Sequence, residues 1–217
     1  MGDACLRHGG NRIGIPEALE VTMNPALPLR YNGAITLDAE GIPCDHATRP
    51  FYAAEDPIRR MERASIRWWM ERQREYLKGR VLDFGAGKPG TCYQPQPYRD
   101  LVDGEYVPID IGDEYPDGEF DAILCTQMLN YCGPVSALQK LRQSLKVGGH
   151  MVITYPSNWT EIEEDDLWRY TRAGMSMLLN RYAPMEIVTH DLRATVHVGN
   201  FTFPLGYGVV ARKPCST

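Results

Sequence analysis

Two short segments of the sequence have residue types and spacing that suit the binding of a nucleoside. Residues 81–90 begin as an apolar strand pattern and continue into the closely spaced glycines Gly85 and Gly87. Residues 106–110 form a second apolar pattern that ends in the carboxylate of Asp110. In α/β sheets, glycines after one strand let a ligand approach the backbone, and an acid after the next strand accepts the ribose hydroxyls. The sequence therefore predicts a nucleoside pocket between these two strand ends.

The residues around the glycines separate two classes of nucleoside ligand. Residues 85–90 fit the Gly-x-Gly-x-x-Gly pattern of dinucleotide sites. A pyrophosphate requires a helix that begins immediately after the glycines, but Pro89, Pro95 and Pro97 delay any regular helix until about residue 97. Asp83 would repel a pyrophosphate and attract a ligand with ammonium and sulfonium groups. S-adenosylmethionine carries both groups, so it fits better than a nicotinamide dinucleotide.

Alternating strand and helix patterns surround this pocket. Strand patterns cover residues 81–84, 106–109, 120–125, 150–154, 185–189 and 206–212, and helical patterns cover residues 57–79, 134–147 and 168–181. Asp56 and Pro57 suit the start of the first helix, and Gly148 and Gly149 suit a stop after the second. We expect a Rossmann-like, mostly parallel sheet with helices on both faces and an antiparallel edge strand at the C-terminus.

Successive segments of the chain resemble the motifs of class I S-adenosylmethionine-dependent methyltransferases. Residues 81–87, Asp110, residues 120–131 and residues 145–154 occur in the order and spacing of those motifs. Residues 166–171 are similar to a stretch found in small-molecule members, of types 11 and 12. The resemblance implies an enzyme that uses S-adenosylmethionine as its cofactor and transfers its methyl group.

The resemblance also implies roles for nine residues at the cofactor site. It implies that Asp110 binds the ribose hydroxyls and that Ile111 lies against the adenine. The methionine moiety would be held by Asp83, Gly85, Ala86 and Gly87, and the donor methyl group would be bordered by Thr126, Gln127 and Met128.

The chain departs from the family pattern after Asp110. Ten residues separate Asp110 from Asp121, whereas the family places a helix and a further strand there. We expect this segment to be reduced to a turn around residues 113–115. Asp113 is then the candidate for the usual acidic contact to the adenine amino group.

Methyl transfer is an in-line displacement, so the acceptor atom must lie about 3 Å from the methyl carbon, opposite the sulfur. The sequence does not single out a general base for the acceptor. The candidates for catalysis are His46, Tyr131 and Tyr155, and the candidates for acceptor binding are Asn158, Trp159 and Tyr170. Residues 155–159 follow a strand on the edge where α/β proteins bind ligands, which favours them as the acceptor loop. His150 and His190 are predicted to have structural roles.

Composition limits the remaining possibilities. With 217 residues, of which 43% are hydrophobic, the chain can bury one core. We predict a methyltransferase-like domain at 57–217 and an arm or flap, rich in Gly and Pro, at 1–56. A net charge of −5 gives no basic footprint for nucleic acid. The chain has no long apolar run, no spacing typical of a metal site, and six scattered cysteines, a pattern that favours a cytoplasmic protein with no membrane partner.

Two other functions are compatible with these motifs. The same cofactor could serve an elimination or a cyclisation, or the fold could be a non-catalytic binding module. The acceptor, a small molecule or a peptide methylated at oxygen or nitrogen, is not defined by the sequence, and neither is the oligomeric state.

Overall fold

A six-stranded sheet forms the centre of the described chain. The structure is a computed structural model that describes residues 36–37, 43–44, 57–87, 96–116, 119–158, 166–198 and 201–215. The sheet strands are β3 Lys78–Phe84, β4 Asp103–Ile109, β5 Phe120–Thr126, β6 Leu145–Pro156, β7 Glu186–Val198 and β8 Phe201–Arg212. A separate antiparallel pair contains β1 Thr36–Leu37 and β2 Pro43–Cys44.

The helices are α1 Pro57–Arg72, α2 Pro134–Ser144 and α3 Arg172–Met177, and α3 continues as a π-helical turn over Leu178–Tyr182. Short 3₁₀ turns cover Arg74–Tyr76 and Arg99–Leu101. No helix in the described part of the chain is long and apolar enough to span a membrane.

The order of the strands creates a ligand-binding crevice. The order is β4-β3-β5-β6-β8-β7, in which β4, β3, β5 and β6 are parallel, and β8 runs antiparallel to both β6 and β7. The chain adds β4 on one side of β3 and then β5 on the other. Ligands of open α/β sheets bind at such a switch point, beyond the carboxyl ends of the strands. The predicted mostly parallel, Rossmann-like fold with its antiparallel edge is confirmed.

The alternation of side chains along the strands explains why helices cover both faces of the sheet. Val81 and Leu124 pack with Trp69 of α1, whereas Leu82 and Ile123 belong to the cluster that includes residues of α2 and α3. Successive strand side chains point to opposite faces, so an apolar strand must be covered twice.

Three predicted helix boundaries are wrong for identifiable reasons. Helix α1 ends at Arg72 instead of Gly79, which lies within β3 beside the carboxylate of Asp121. Helix α2 ends at Ser144, so Gly148 and Gly149 do not stop it; they lie in β6, where a Cβ at Gly149 would be 2.9 Å from the carbonyl oxygen of residue 121. Gly79 and Gly149 permit close approach of a neighbouring strand, whereas Gly148 has a positive φ of +80° and open space beside it. A sequence pattern cannot distinguish these requirements from a helix stop.

The start of the third predicted helix is also later than predicted. Helix α3 begins at Arg172 instead of Trp168, because the Thr171 hydroxyl accepts the amide of Gly174 at 3.0 Å and caps the first turn.

The segment after β4 is reduced, as the sequence predicts. The described residues 110–116 and 119 contain neither helix nor strand. Tyr115 stacks instead on Phe84, with ring centroids 6.0 Å apart. The division at residue 57 stays a prediction, although α1 begins there.

Candidate functional site

Hydrogen bonds hold the tips of β3 and β4 together. The amides of Gly85 and Ala86 donate to the carbonyl oxygen of Ile109 at 2.8 Å and 3.1 Å. Gly85 has φ +92° and Gly87 has φ +74°, a backbone conformation that L side chains rarely adopt. The glycine turn therefore lies directly beside the strand end that carries Asp110.

Asp83 is a buried acid at the end of β3, with 1% of its surface exposed. Its Oδ2 accepts the hydroxyl of Tyr106, on β4, at 2.5 Å. Burial raises the pKa of Asp83 to about 7, and the neighbouring Asp110 carboxylate adds to the increase. A cationic ligand group beside this acid would favour its charged form.

Asp110 sits in a tight turn that fixes its carboxylate. Asp110 Oδ1 accepts the amide of Ile111 at 2.8 Å, and Asp113 Oδ2 accepts the amide of Asp110 at 2.7 Å. Ile111 is 42% exposed, so an apolar surface lies next to the acid. Asp113, the candidate for the adenine contact, is engaged in forming this turn.

The end of β5 supplies the third border of the crevice. Met128 lies against the glycine turn, because a Cβ built on Gly85 would come within 2.0 Å of Met128 Cγ. Gln127 has φ +56°, and its amide donates to the carbonyl oxygen of Thr154 on β6 at 2.9 Å. Thr126 Oγ1 is buried with no hydrogen-bond partner among the described residues. The structure thus brings the cofactor-site candidates together around one switch point.

The candidates for catalysis are less well grouped. Tyr131 is half-buried in the turn after β5, and its amide donates to the carbonyl oxygen of Met128 at 3.1 Å. Tyr155 lies in the core with no exposed surface, not at the mouth of the crevice, because β6 extends to Pro156. The Tyr155 hydroxyl bonds to His190 Nε2, and burial raises its pKa above the ordinary tyrosine value. His46 lies outside the described residues.

The acceptor-binding candidates are also separated. Asn158 is exposed, and its amide donates to the carbonyl oxygen of Pro204 at 3.1 Å, which continues the pairing of β6 with β8. Tyr170 is buried and donates its hydroxyl to the carbonyl oxygen of Leu129 at 2.6 Å. Trp159 lies outside the described residues.

The two histidines predicted to be structural both have packing contacts. His190 lies between the Tyr155 hydroxyl and Ser176 Oγ, which is 3.2 Å from Nδ1, and burial lowers its pKa to about 4. The ring of His150 lies 4.9 Å from that of Tyr76.

Sequence reasoning missed two side chains near the crevice. Tyr106 forms the hydrogen bond to Asp83. The alternation of side chains along β4, which pairs with β3 so that Tyr106 lies opposite Val81, could have indicated this contact. Arg193 is a buried cation on β7. No local pattern marks it, since its partners come from distant parts of the chain.

The crevice has the groups that S-adenosylmethionine needs. The glycine turn has a backbone conformation that L side chains rarely adopt, with Met128 packed against Gly85, and Asp110 has a carboxylate oxygen beyond the one that the Ile111 amide occupies. Asp83 offers a buried negative charge for an ammonium group, and Ile111 offers an apolar surface for a base. The residues present therefore fit the cofactor.

Comparison with known proteins finds a family that matches part of the chain. Residues 90–153 match the family described as "Methyltransferase domain". The match begins after the glycine turn and includes Asp110 and the β5 tip at residues 126–128. No curated protein matches the chain.

Solved structures with similar traces include several of this class. The N-methyltransferase NodS from Bradyrhizobium japonicum is 14% identical, with 74% of this chain and 99% of that chain covered and a TM-score of 0.49. The 1,6-didemethyltoxoflavin-N1-methyltransferase from Burkholderia thailandensis is 15% identical, with coverages of 78% and 84% and a TM-score of 0.49. The cyclase SpnF is 17% identical, with coverages of 72% and 83% and a TM-score of 0.48.

The family match confirms the resemblance derived from the motifs. Over residues 90–153 the chain matches a methyltransferase domain, and S-adenosylmethionine is the cofactor that this match implies.

Proposed function

We propose that this protein transfers the methyl group of S-adenosylmethionine to oxygen or nitrogen of a polar, small or medium-sized acceptor. The observation that carries the proposal is the contact between the β3 and β4 tips, in which two amides of the glycine turn bond to Ile109 beside Asp110. The bound cofactor supplies an electrophilic methyl group on a sulfonium. A cytoplasmic location stays a prediction.

Each residue of the crevice has a distinct part in this proposal. Asp110 accepts the ribose hydroxyls, Ile111 covers the adenine, and Asp83 offsets the charge of the ligand ammonium. Gln127 and Met128 border the methyl carbon, and with Thr126 they exclude water from the line of transfer. Excluding water strengthens the electrostatic contacts and keeps the acceptor aligned.

Tyr131 is our candidate for the residue that contacts the acceptor. It follows the β5 tip by a few residues and is half-buried, whereas Tyr155 lies inside the core. The phenol can accept or donate a hydrogen bond to an acceptor hydroxyl or amine.

Calorimetry with the pure protein tests the proposal. We expect the protein to bind S-adenosylmethionine and S-adenosylhomocysteine, and Asp110→Ala to weaken both by about tenfold or more, since hydrogen bonds to a charged group are lost. Asp121→Asn is the matched control, because Asp121 bonds to Lys146 near the opposite ends of the strands. Failure of the wild-type protein to bind either ligand would overturn the proposal.

Product analysis separates methyl transfer from its alternatives. Incubation with labelled S-adenosylmethionine and a panel of hydroxyl- and amine-bearing acceptors should give a product heavier by one CH₂ group. An elimination or a cyclisation would give products without this added CH₂ group. Binding with no turnover across the panel would favour a binding module.

A further inference from the structure

A buried arginine of β7 connects helix α1 to strands β6 and β8. Arg193, on β7, has a side chain with no exposed surface. Its guanidinium donates to the carbonyl oxygens of Tyr207 at 2.9 Å and Tyr155 at 3.3 Å, and to Ser65 Oγ at 3.1 Å and Glu62 Oε1 at 3.2 Å on α1. Three elements therefore meet at one cation.

The same guanidinium reaches the donor edge of the cofactor site. When the Gln127 amide is oriented with its oxygen toward the neighbouring donors, Oε1 accepts from Arg193 Nη2 at 2.9 Å and from the Tyr155 amide at 3.3 Å. The backbone amide of Gln127 donates to Thr154. Both the main chain and the side chain of Gln127 are thus fastened to β6 and Arg193.

Gln127 needs this support because of its backbone conformation. Its φ of +56° lies in the left-handed region, which residues other than glycine seldom occupy. Such conformations persist where the surroundings determine them, and they cluster at functional sites. The residue follows β5 directly, at the edge where the donor methyl group is expected.

The Arg193 guanidinium is enclosed by the protein. Its five acceptors are two side chains of α1, two strand carbonyls and the Gln127 amide, and the space beside it is filled, since a Cβ at Gly206 would lie 2.3 Å from Nη2. Burial lowers the pKa of Arg193, and Glu62 is the carboxylate paired with it. A buried ion pair often gives little net stability compared with apolar packing. We therefore interpret the Arg193–Glu62 pair as a contact that positions neighbouring groups.

We propose that Arg193 is a positioning residue that holds Gln127 in its left-handed conformation at the donor-methyl edge and so links α1 to that edge. The inference rests on the proposed function. It predicts that loss of Arg193 affects the methyl-bearing part of the ligand more than the nucleoside part.

Ligand selectivity tests this inference. We expect Arg193→Met to weaken S-adenosylmethionine by about tenfold, the size of one lost hydrogen bond to a charged group. The affinity for adenosine, which contacts Asp110 and Ile111, should stay within about twofold, a change too small to signal a lost contact. Arg193→Lys should restore part of the loss, and Lys146→Met, which removes a cation near the opposite edge, should change neither affinity. An equal loss for both ligands would mean a purely structural role and would overturn the inference.

Hydrogen exchange in the ligand-free protein gives a test that does not depend on cofactor binding. The Gln127 amide should exchange about tenfold faster in Arg193→Met than in wild type, because the local opening is less costly, while Lys146→Met leaves it unchanged. If wild type binds no cofactor, the proposed function fails. The exchange rate of the Gln127 amide still tests whether Arg193 holds Gln127 in place. Should Arg193→Met not fold, Glu62→Gln replaces it, with a smaller change in the same direction. Unchanged exchange in both variants would overturn the inference.

Discussion

Asp83 is a residue with opposite effects on stability and on ligand binding. In the ligand-free protein its carboxyl is buried and has a pKa of about 7, so ionisation near neutral pH opposes folding. A cation in the crevice would make the same charge favourable. Binding sites commonly retain such groups at a cost in stability.

Replacing Asp83 by asparagine should therefore stabilise the protein in a pH-dependent way. An acid whose pKa is raised by folding contributes most stability at low pH, and that contribution is lost as the pH rises toward about 7, where Asp83 ionises. Asparagine does not titrate and can still accept the Tyr106 hydroxyl. The advantage of Asp83→Asn over wild type should grow by about 2–3 kcal/mol between pH 5 and pH 8. Urea unfolding at the two pH values measures this, and an advantage that does not change with pH would contradict it.

Cofactor binding should release a proton from the same residue. A ligand ammonium beside Asp83 lowers its pKa, so a proton leaves on binding near pH 7 and the affinity for S-adenosylmethionine rises from pH 6 to pH 8. Calorimetry in two buffers of different ionisation enthalpy should give different apparent binding enthalpies. Asp83→Asn should remove both the difference and the pH dependence. Identical enthalpies for wild type in the two buffers would place the ligand charge away from Asp83.

At the scale of elements, the turn after β3 depends on the packing of the β5 tip. Gly85→Ala combines a positive φ with a contact to Met128. We expect a loss of about 1–3 kcal/mol in unfolding free energy from the backbone strain, plus a further loss from displacing Met128.

A glycine control separates these two contributions. Gly112 also has a positive φ, +86°, but no atom lies within 4 Å of a Cβ built there. Gly112→Ala should therefore cost only the backbone strain. Adding Met128→Ala to Gly85→Ala should recover the excess loss, apart from the cost of the cavity it creates. Equal losses for Gly85→Ala and Gly112→Ala in urea unfolding would show that Met128 yields freely.

The sheet was predictable from the sequence because its central strands are buried on both faces. Runs such as residues 122–125 are continuously apolar. The glycines at 79 and 149 were misassigned because close strand approach and helix termination both select glycine, and Gly148 because a positive φ within a strand selects it as well. The full length of β7 was missed, since it carries Arg193 and His190 inside a strand that looks too polar to be buried.

The cofactor residues could be anticipated for a related reason. Asp83, Gly85 and Asp110 follow directly from the ends of strands, so local sequence gives their positions. Arg193 joins Glu62 across 131 residues of chain, and Tyr155 became a core residue because β6 continues past Thr154. Neither relationship can be predicted from a local sequence pattern, because each depends on how distant elements pack.

At the scale of the whole molecule, the reduced segment after β4 leaves the sheet with a short edge on that side. Arg67 of α1 compensates in part, since it bonds to both oxygens of Asp100 and to the carbonyl oxygen of Pro97. These contacts fasten the segment between β3 and β4 to the helix.

A ligand that bridges the tips of β3, β4 and β5 should therefore stabilise the molecule as a unit. At S-adenosylhomocysteine concentrations about one hundred times the dissociation constant, linkage predicts a gain of about 2.7 kcal/mol. For a chain of this size, that corresponds to a rise in melting temperature of about 5–11 °C. At the same ligand concentration, Asp110→Ala, whose affinity is weaker by about tenfold or more, should show about half of this rise or less, and Asp121→Asn the full rise. An equal rise in Asp110→Ala and wild type, measured by calorimetry, would mean that the ligand stabilises the protein from some other site.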